Sequence, residues 1–138
     1  MVDKRVRINY AKLDALIAGC VDGLAVVGQA IIDDTRPGVP DEPPLGVGLV
    51  NTGGYVVYVD GHKVAGTASI RLGRRNPMNP PRKGITLYVG YDFPARFLHN
   101  GTIHISPRPF FAPHFFADVR GLAAAVRPAV DAKLRSVP

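Results

Sequence analysis

The chain has a single cysteine, Cys20, among its 138 residues, so no internal disulfide can form and a reduced, intracellular setting is expected. Its four histidines, His62, His99, His104 and His114, never recur at the helical spacing of a metal pair, and no second thiol exists to complete a zinc site. No metal and no cofactor is therefore expected. Ser69, Ser106 and Ser136 lack the setting of a nucleophile elbow, and Gly46/Gly48 and Gly53/Gly54 form neither a phosphate loop nor a dinucleotide fingerprint. Acidic residues are few, with Asp33-Asp34 and Asp41-Glu42 the only neighbours, so no acid and base pair points to an enzyme. The start, Met1-Val2-Asp3-Lys4-Arg5, is charged and does not read as a signal peptide. The most apolar window, residues 23 to 32, is broken by Gln29 and bounded by Asp22 and Asp33, which reads as too short for a membrane span. No internal repeat is visible. Asn100-Gly101-Thr102 matches a glycosylation sequon, but a tight turn explains it better where no secretory route is read.

What is present is basic charge. Seventeen Lys and Arg against eleven Asp and Glu give a net charge of +6, and twelve of the seventeen are arginine. A GC-rich genome would also enrich arginine, alanine, glycine and proline, so the placement of charge says more than its size. Arg71, Arg74, Arg75, Arg82 and Lys83 lie in one segment, residues 71 to 84, that contains no acid and carries Pro77, Pro80 and Pro81. It reads either as a solvated basic loop or as a contact for nucleic acid or an acidic partner.

The length fits one domain, residues 1–138, able to bury a core without staples. Leu13, Leu16, Ile17, Cys20, Leu24, Val27 and Ile31 recur every three or four residues and predict a long helix over residues 10–32, capped by Asn9 and stopped by Thr35-Arg36-Pro37-Gly38. Ala15, Gly19, Gly23 and Ala30 form a small-residue strip. It either admits a close neighbour or marks glycines that tertiary packing merely tolerates, since each costs about 1 kcal/mol against alanine in a helix. Residues 35–54, rich in Pro and Gly, predict an extended surface loop, a partner-binding arm or plain linker slack.

From Tyr55 the period becomes two. Tyr55 to Val59 predicts a strand, Asp60-Gly61 a hairpin turn, and His62 to about Ile70 the return strand. Residues 84–91 predict a third strand with Ile85, Leu87, Val89 and Tyr91 on one face, and Thr102 to Ser106 a short fourth with Ile103 and Ile105 inward. Pro113 suits the first turn of a last helix that carries Phe116, Val119, Ala123, Val126 and Val130 at helical spacing. Pro128 predicts a kink or split near Val126-Arg127. Phe110, Phe111, Phe115 and Phe116 read as core between that helix and the sheet. The order predicts an α+β domain: about four mostly antiparallel strands with a long N-terminal and a C-terminal helix on one face, and long loops at 35–54 and 71–84.

The stretch from 91 to 113 ties these parts together. Tyr91, Phe97, Gly101-Thr102 and Pro109-Phe110-Phe111-Ala112-Pro113 give a strand end, an aromatic segment, a Gly-Thr turn and a Pro-Phe-x-x-Pro step into the last helix. In order and spacing this resembles a family of small neck or tail-completion proteins of long-tailed bacteriophages, over roughly the second half of the chain. Two departures stand out. His99-Asn100 replaces the family's acidic residue before Gly-Thr, and Asn51-Thr52-Gly53-Gly54 only loosely echoes its Asp-Thr-Gly-x-Leu entry to the first strands.

The resemblance implies a structural virion protein made in the bacterial host cytoplasm: a subunit of a homo-oligomeric ring at the head-to-tail junction. Such a ring touches other connector and tail proteins and passes DNA through its channel without reading its sequence, away from any membrane. The competing expectations are a tail terminator capping the tube, a free basic nucleic-acid-binding domain, and a small enzyme of unknown chemistry.

Overall fold

A computed structural model describes residues 7–40, 48–66, 81–91, 95–103 and 106–138, with only the backbone for residues 96–98. Helix α1 runs from Tyr10 to Thr35, starting where Asn9 Oδ1 accepts the Lys12 amide at 3.1 Å. The cap satisfies one of the donors that a helix start leaves open. At the other end Arg36–Gly38 tightens into a 3-10 turn, where Pro37 has no N–H to continue the α-helical ladder. By length and composition α1 passes for a membrane-crossing helix, contrary to the expectation from residues 23 to 32 alone. Asp22 and Gln29 interrupt its apolar stretch without offsetting the residues on either side, and a third of the most apolar window is buried inside the protein.

Three strands form one antiparallel sheet in the order β2-β1-β3: β1 (Gly54–Val59), β2 (His62–Gly66) and β3 (Ile85–Gly90). Asp60 and Gly61 join β1 to β2 with φ of 50° and 85°, the left-handed pair that a two-residue hairpin with the right twist demands. Between the pairs Val57↔Ala65 and Tyr58↔Lys63 the register slips by one residue. That leaves Val64 as the extra residue of a bulge on the exposed edge strand. β1 pairs with β3 in unbroken register, Tyr55 opposite Val89, Val57 opposite Leu87 and Val59 opposite Ile85. Those pairs share the face turned to α1, while Tyr58 and Tyr88 meet edge to face, 5.6 Å apart, on the other face.

Among the described residues there is no fourth strand, contrary to expectation. Thr102, Ile103 and Ser106 lie outside any strand, His104 and Ile105 fall outside the described residues, and Ile103, expected inward, is 93% exposed. The residues before it explain this. Helix α2, Ala95–Asn100, occupies the aromatic approach and ends at Gly101 with φ of 75°, so the chain leaves a helix end and not a strand. The return strand is described as far as Gly66, and residues 67–70 fall outside the described residues.

Two helices replace the single last one: α3, Ala112–Arg120, with Pro113 in its first turn as expected, and α4, Leu122–Arg135. The break falls at Gly121, whose amide bonds back to Asp118, and α4 runs through Pro128. Val126 and Val130 press onto Gly23 and Gly19 of α1, so the helix is held on both sides of the proline.

α1 is the middle layer. On one side Gly28 admits the Tyr55 ring of β1, and roughly 140–180° around the axis Gly23 and Gly19 admit the α4 backbone. A Cβ on Gly19 would stand 2.6 Å from Val130 Cα, and one on Gly23 2.8 Å from Val126 Cα. The small-residue strip is therefore a contact surface. α4 lies against α1 and not, as expected, on the sheet. The core runs from Val27, Ile31 and Ile32 of α1 to Val57 of β1. A second cluster, Val39, Leu49 and Phe110, corrects the reading of residues 35–54 as wholly surface, because the described parts of that segment turn Val39 and Leu49 inward. Residues 41–47 lie outside the described residues.

Candidate functional site

β3 connects two places with different chemistry, one at each end of the sheet and about 20 Å apart for a six-residue strand. At its start is the exit of the basic segment. The Asp60 amide donates to Gly84 O at 2.9 Å, and the Gly84 amide donates to Asp60 Oδ1 at 2.8 Å. Gly84 has φ of 94°, which glycine adopts without the Cβ clash. This reciprocal pair locks residues 81–84 against the hairpin turn and stands Arg82 and Lys83, both exposed, at that sheet end. Arg71, Arg74 and Arg75 lie outside the described residues, so two of the five expected cations can be located.

At the far end of β3 the chain builds an aromatic knot. Tyr91 reaches over the end of α1: its hydroxyl is 2.7 Å from Thr35 Oγ1 and 3.3 Å from Ile32 O. Thr35, fully buried, donates back to Ile31 O at 2.8 Å, which leaves its oxygen free to accept from Tyr91. Burial raises the Tyr91 phenol above its ordinary value, against the lowering effects of the Thr35 bond and of Arg36. A Cβ at Gly53 would come within 2.5 Å of the Tyr91 ring, so only glycine leaves the ring its place. Phe110 and Phe111 meet the same ring edge on, at 5.6 and 6.3 Å.

His99 closes the knot. Its Nε2 accepts the Ala112 amide at 3.1 Å, capping the start of α3, and Nδ1–H faces Asn100 Oδ1 at 2.8 Å. Accepting at Nε2 requires the neutral ring with its proton on Nδ1. The ring also packs edge on against Phe110, 5.6 Å away. Between these groups lies an open groove of about 220 Å³ lined by Gly90, Tyr91, Ala95, His99, Asn100, Phe110 and Phe111.

No family model, curated protein or solved structure matches this chain. The arrangement itself must carry the functional reading.

Of the residues singled out for the resemblance, Tyr91 and Phe110 meet in the knot, Pro113 stands exposed in the first turn of α3, and Gly101 supplies the left-handed exit of α2. Thr102 and Pro109 are exposed, and the side chain of Phe97 lies outside what is described. The four phenylalanines expected as common core separate: Phe110 is buried, Phe111 and Phe115 are half-buried and stacked at 5.4 Å, and Phe116 is 57% exposed. The break at Gly121 shifts the helical phase, so Phe116 and Val119 do not continue the face of Val126 and Val130.

The capping role of His99 was invisible in the sequence. It links residues thirteen apart across a turn, a separation no local pattern reports. Among the described residues, no group of three or more His, Cys, Asp or Glu is placed to hold a metal ion. What the knot does chemically is join: it ties the end of α1, the end of β3, α2 and the start of α3 through paired polar groups and ring edges.

Proposed function

We propose that the chain is a structural subunit of a ring at the head-to-tail junction of a long-tailed bacteriophage, joining the head complex to the tail tube around a DNA channel. The observation that carries this reading is that Tyr91 and Phe110, two of the residues that carry the resemblance, meet edge to face in the knot, while Gly101 ends α2 and Pro113 opens α3. The Tyr91 hydroxyl is engaged with Thr35 and the backbone at the end of α1. The two ends of the sheet add support. A layer between partners needs distinct surfaces in two directions, and here exposed cations stand at one sheet end and an apolar groove opens at the other.

In this reading the basic end docks onto an acidic neighbour. A tight cationic grip on DNA would slow its passage, because each phosphate contact adds salt-dependent affinity.

A gold label on the protein in purified virions should mark the junction of head and tail. Label along the tube or over the capsid would overturn the proposal. Tails assembled in the absence of heads separate it from the terminator reading. A subunit that caps the tube would be found on those tails, and a connector subunit would not.

A further inference from the structure

Among the described residues, an apolar patch lies exposed at each end of α1. At its N-terminus Ile8, Tyr10, Leu13 and Leu16 are exposed, Tyr10 to 67% and Leu16 to 41%. The steps of three from Tyr10 to Leu16 put these side chains on neighbouring turns of one flank. They continue the buried face of α1 past the reach of the six-residue strands. The second patch is Phe116 with Val119, adjacent on α3, 57% and 39% exposed. α3 is tied to the other end of α1, where Asp118 meets Asp34. Eighteen residues from Leu16 to Asp34 separate the patches by roughly 27 Å of helix, so neither can cover the other within one chain.

The charges beside them choose the occupant. A helix favours acids at its start and bases at its end. α1 does the reverse, with no acid in its first turn and no base in its last. Arg7 and Lys12 stand beside the first patch, with Asp14 as the exception. Asp33, Asp34 and Asp118 stand beside the second, with Arg36 and Arg120 as exceptions. Each end thus carries the sign its own dipole disfavours and the sign the other end would attract.

We infer that the partner at both patches is a second copy of this chain: the Ile8–Leu16 end of one copy docks on the Phe116–Val119 end of the next, in a repeated head-to-tail contact. One such contact covers both patches and sets Arg7 and Lys12 against Asp33 and Asp34. A contact between like patches would bring like charges together. Head-to-tail contacts close into rings when the rotation allows, so the inference rests on the proposed ring and names its seam.

The test uses the full chain in sedimentation at low salt. Wild type and the edge-strand control Val64→Glu should form the same assembly, which loosens as salt is added. Leu16→Glu and Phe116→Glu, at exposed positions, should each sediment as monomers with an unchanged circular-dichroism spectrum. Leu13→Gln and Val119→Gln replace either variant if it unfolds.

Mixed in equal amounts, the two variants retain one good patch each and should form a dimer that neither forms alone. Failure of the mixture to dimerise would overturn the head-to-tail pairing. A wild-type assembly that both variants leave intact would overturn this seam while leaving a ring through another surface. A wild type that stays monomeric overturns the inference, and its retention on phosphatidylglycerol vesicles would reassign the patches to lipid. The junction labelling above is read independently of every one of these outcomes.

Discussion

Phe110 and Phe111 are adjacent and chemically identical, yet the fold treats them differently. Phe110 is buried among Val39, Leu49, Tyr91 and His99, and Phe111 lines the open groove with one face stacked on Phe115. Truncating a fully buried phenylalanine removes its transfer energy and leaves a cavity, so Phe110→Ala should lower stability by about 3–5 kcal/mol in urea denaturation. Phe111→Ala should cost clearly less, and equal losses would mean that the groove is closed in solution. Asp118 offers a second test at this scale. Its Oδ2 is sealed from solvent with no hydrogen-bond partner, and it faces the Asp34 carboxyl where the negative ends of α1 and α3 meet. Burial first, then Asp34, holds its carboxyl above the ordinary 3.8, with His114 opposing. The sign is unfavourable: the folded state keeps a proton that the unfolded chain has released, so stability falls as pH rises from the unfolded value through the folded one. Below that window the penalty is absent. Asp118→Asn, whose amide can donate to Asp34, should flatten this limb and melt higher than wild type at neutral pH. Identical pH profiles for the two proteins would show that the carboxyls do not interact.

At the scale of elements, α1 is shaped by what it must admit. Glycine in a helix interior is unfavourable by about 1 kcal/mol relative to alanine, and on propensity alone Gly23→Ala should stabilise. The added methyl would instead stand 2.8 Å from a main-chain atom of α4, which no side-chain rotation can relieve. Gly23→Ala should therefore destabilise by about 1–3 kcal/mol net, read as a fall in thermal midpoint. A rise would mean that α4 does not press on this line. The Lys133–Asp22 ion pair spans the same two helices at 3.5 Å with both side chains about half exposed, so it adds little beside the glycine contact. The hairpin shows the opposite relation between element and neighbour. Its turn is set by Asp60-Gly61, and the Asp60 carboxylate then fastens the start of β3, so one local motif also positions Arg82 and Lys83.

For the whole molecule, the described part of the basic segment, residues 81–84, stands at the sheet end opposite the groove. Replacing Arg71, Arg74, Arg75, Arg82 and Lys83 together by serine should leave the melting curve of the isolated subunit unchanged and yield heads and tails that fail to join. Particles that assemble normally but eject DNA at an altered, salt-sensitive rate would place these cations in the channel. What the amino-acid order determined by itself is everything written in contacts of short range: the Asn9 cap, the length of α1, the Asp60-Gly61 hairpin, the alternation of β3 and Pro113 at a helix start. Each depends on side chains within a few residues of one another, so periodicity and turn chemistry suffice. Only the tertiary structure decided that Gly19 and Gly23 of α1 face α4 while Gly28 faces the sheet. It likewise decided that Val39 and Leu49 turn inward from a proline-rich loop and that His99 caps a helix beginning thirteen residues later. Pro128 passes unbroken through α4 because the packing of Val126 and Val130 onto α1 outweighs local preference, whereas Ile103 is left outside because the chain reaches it from the end of α2.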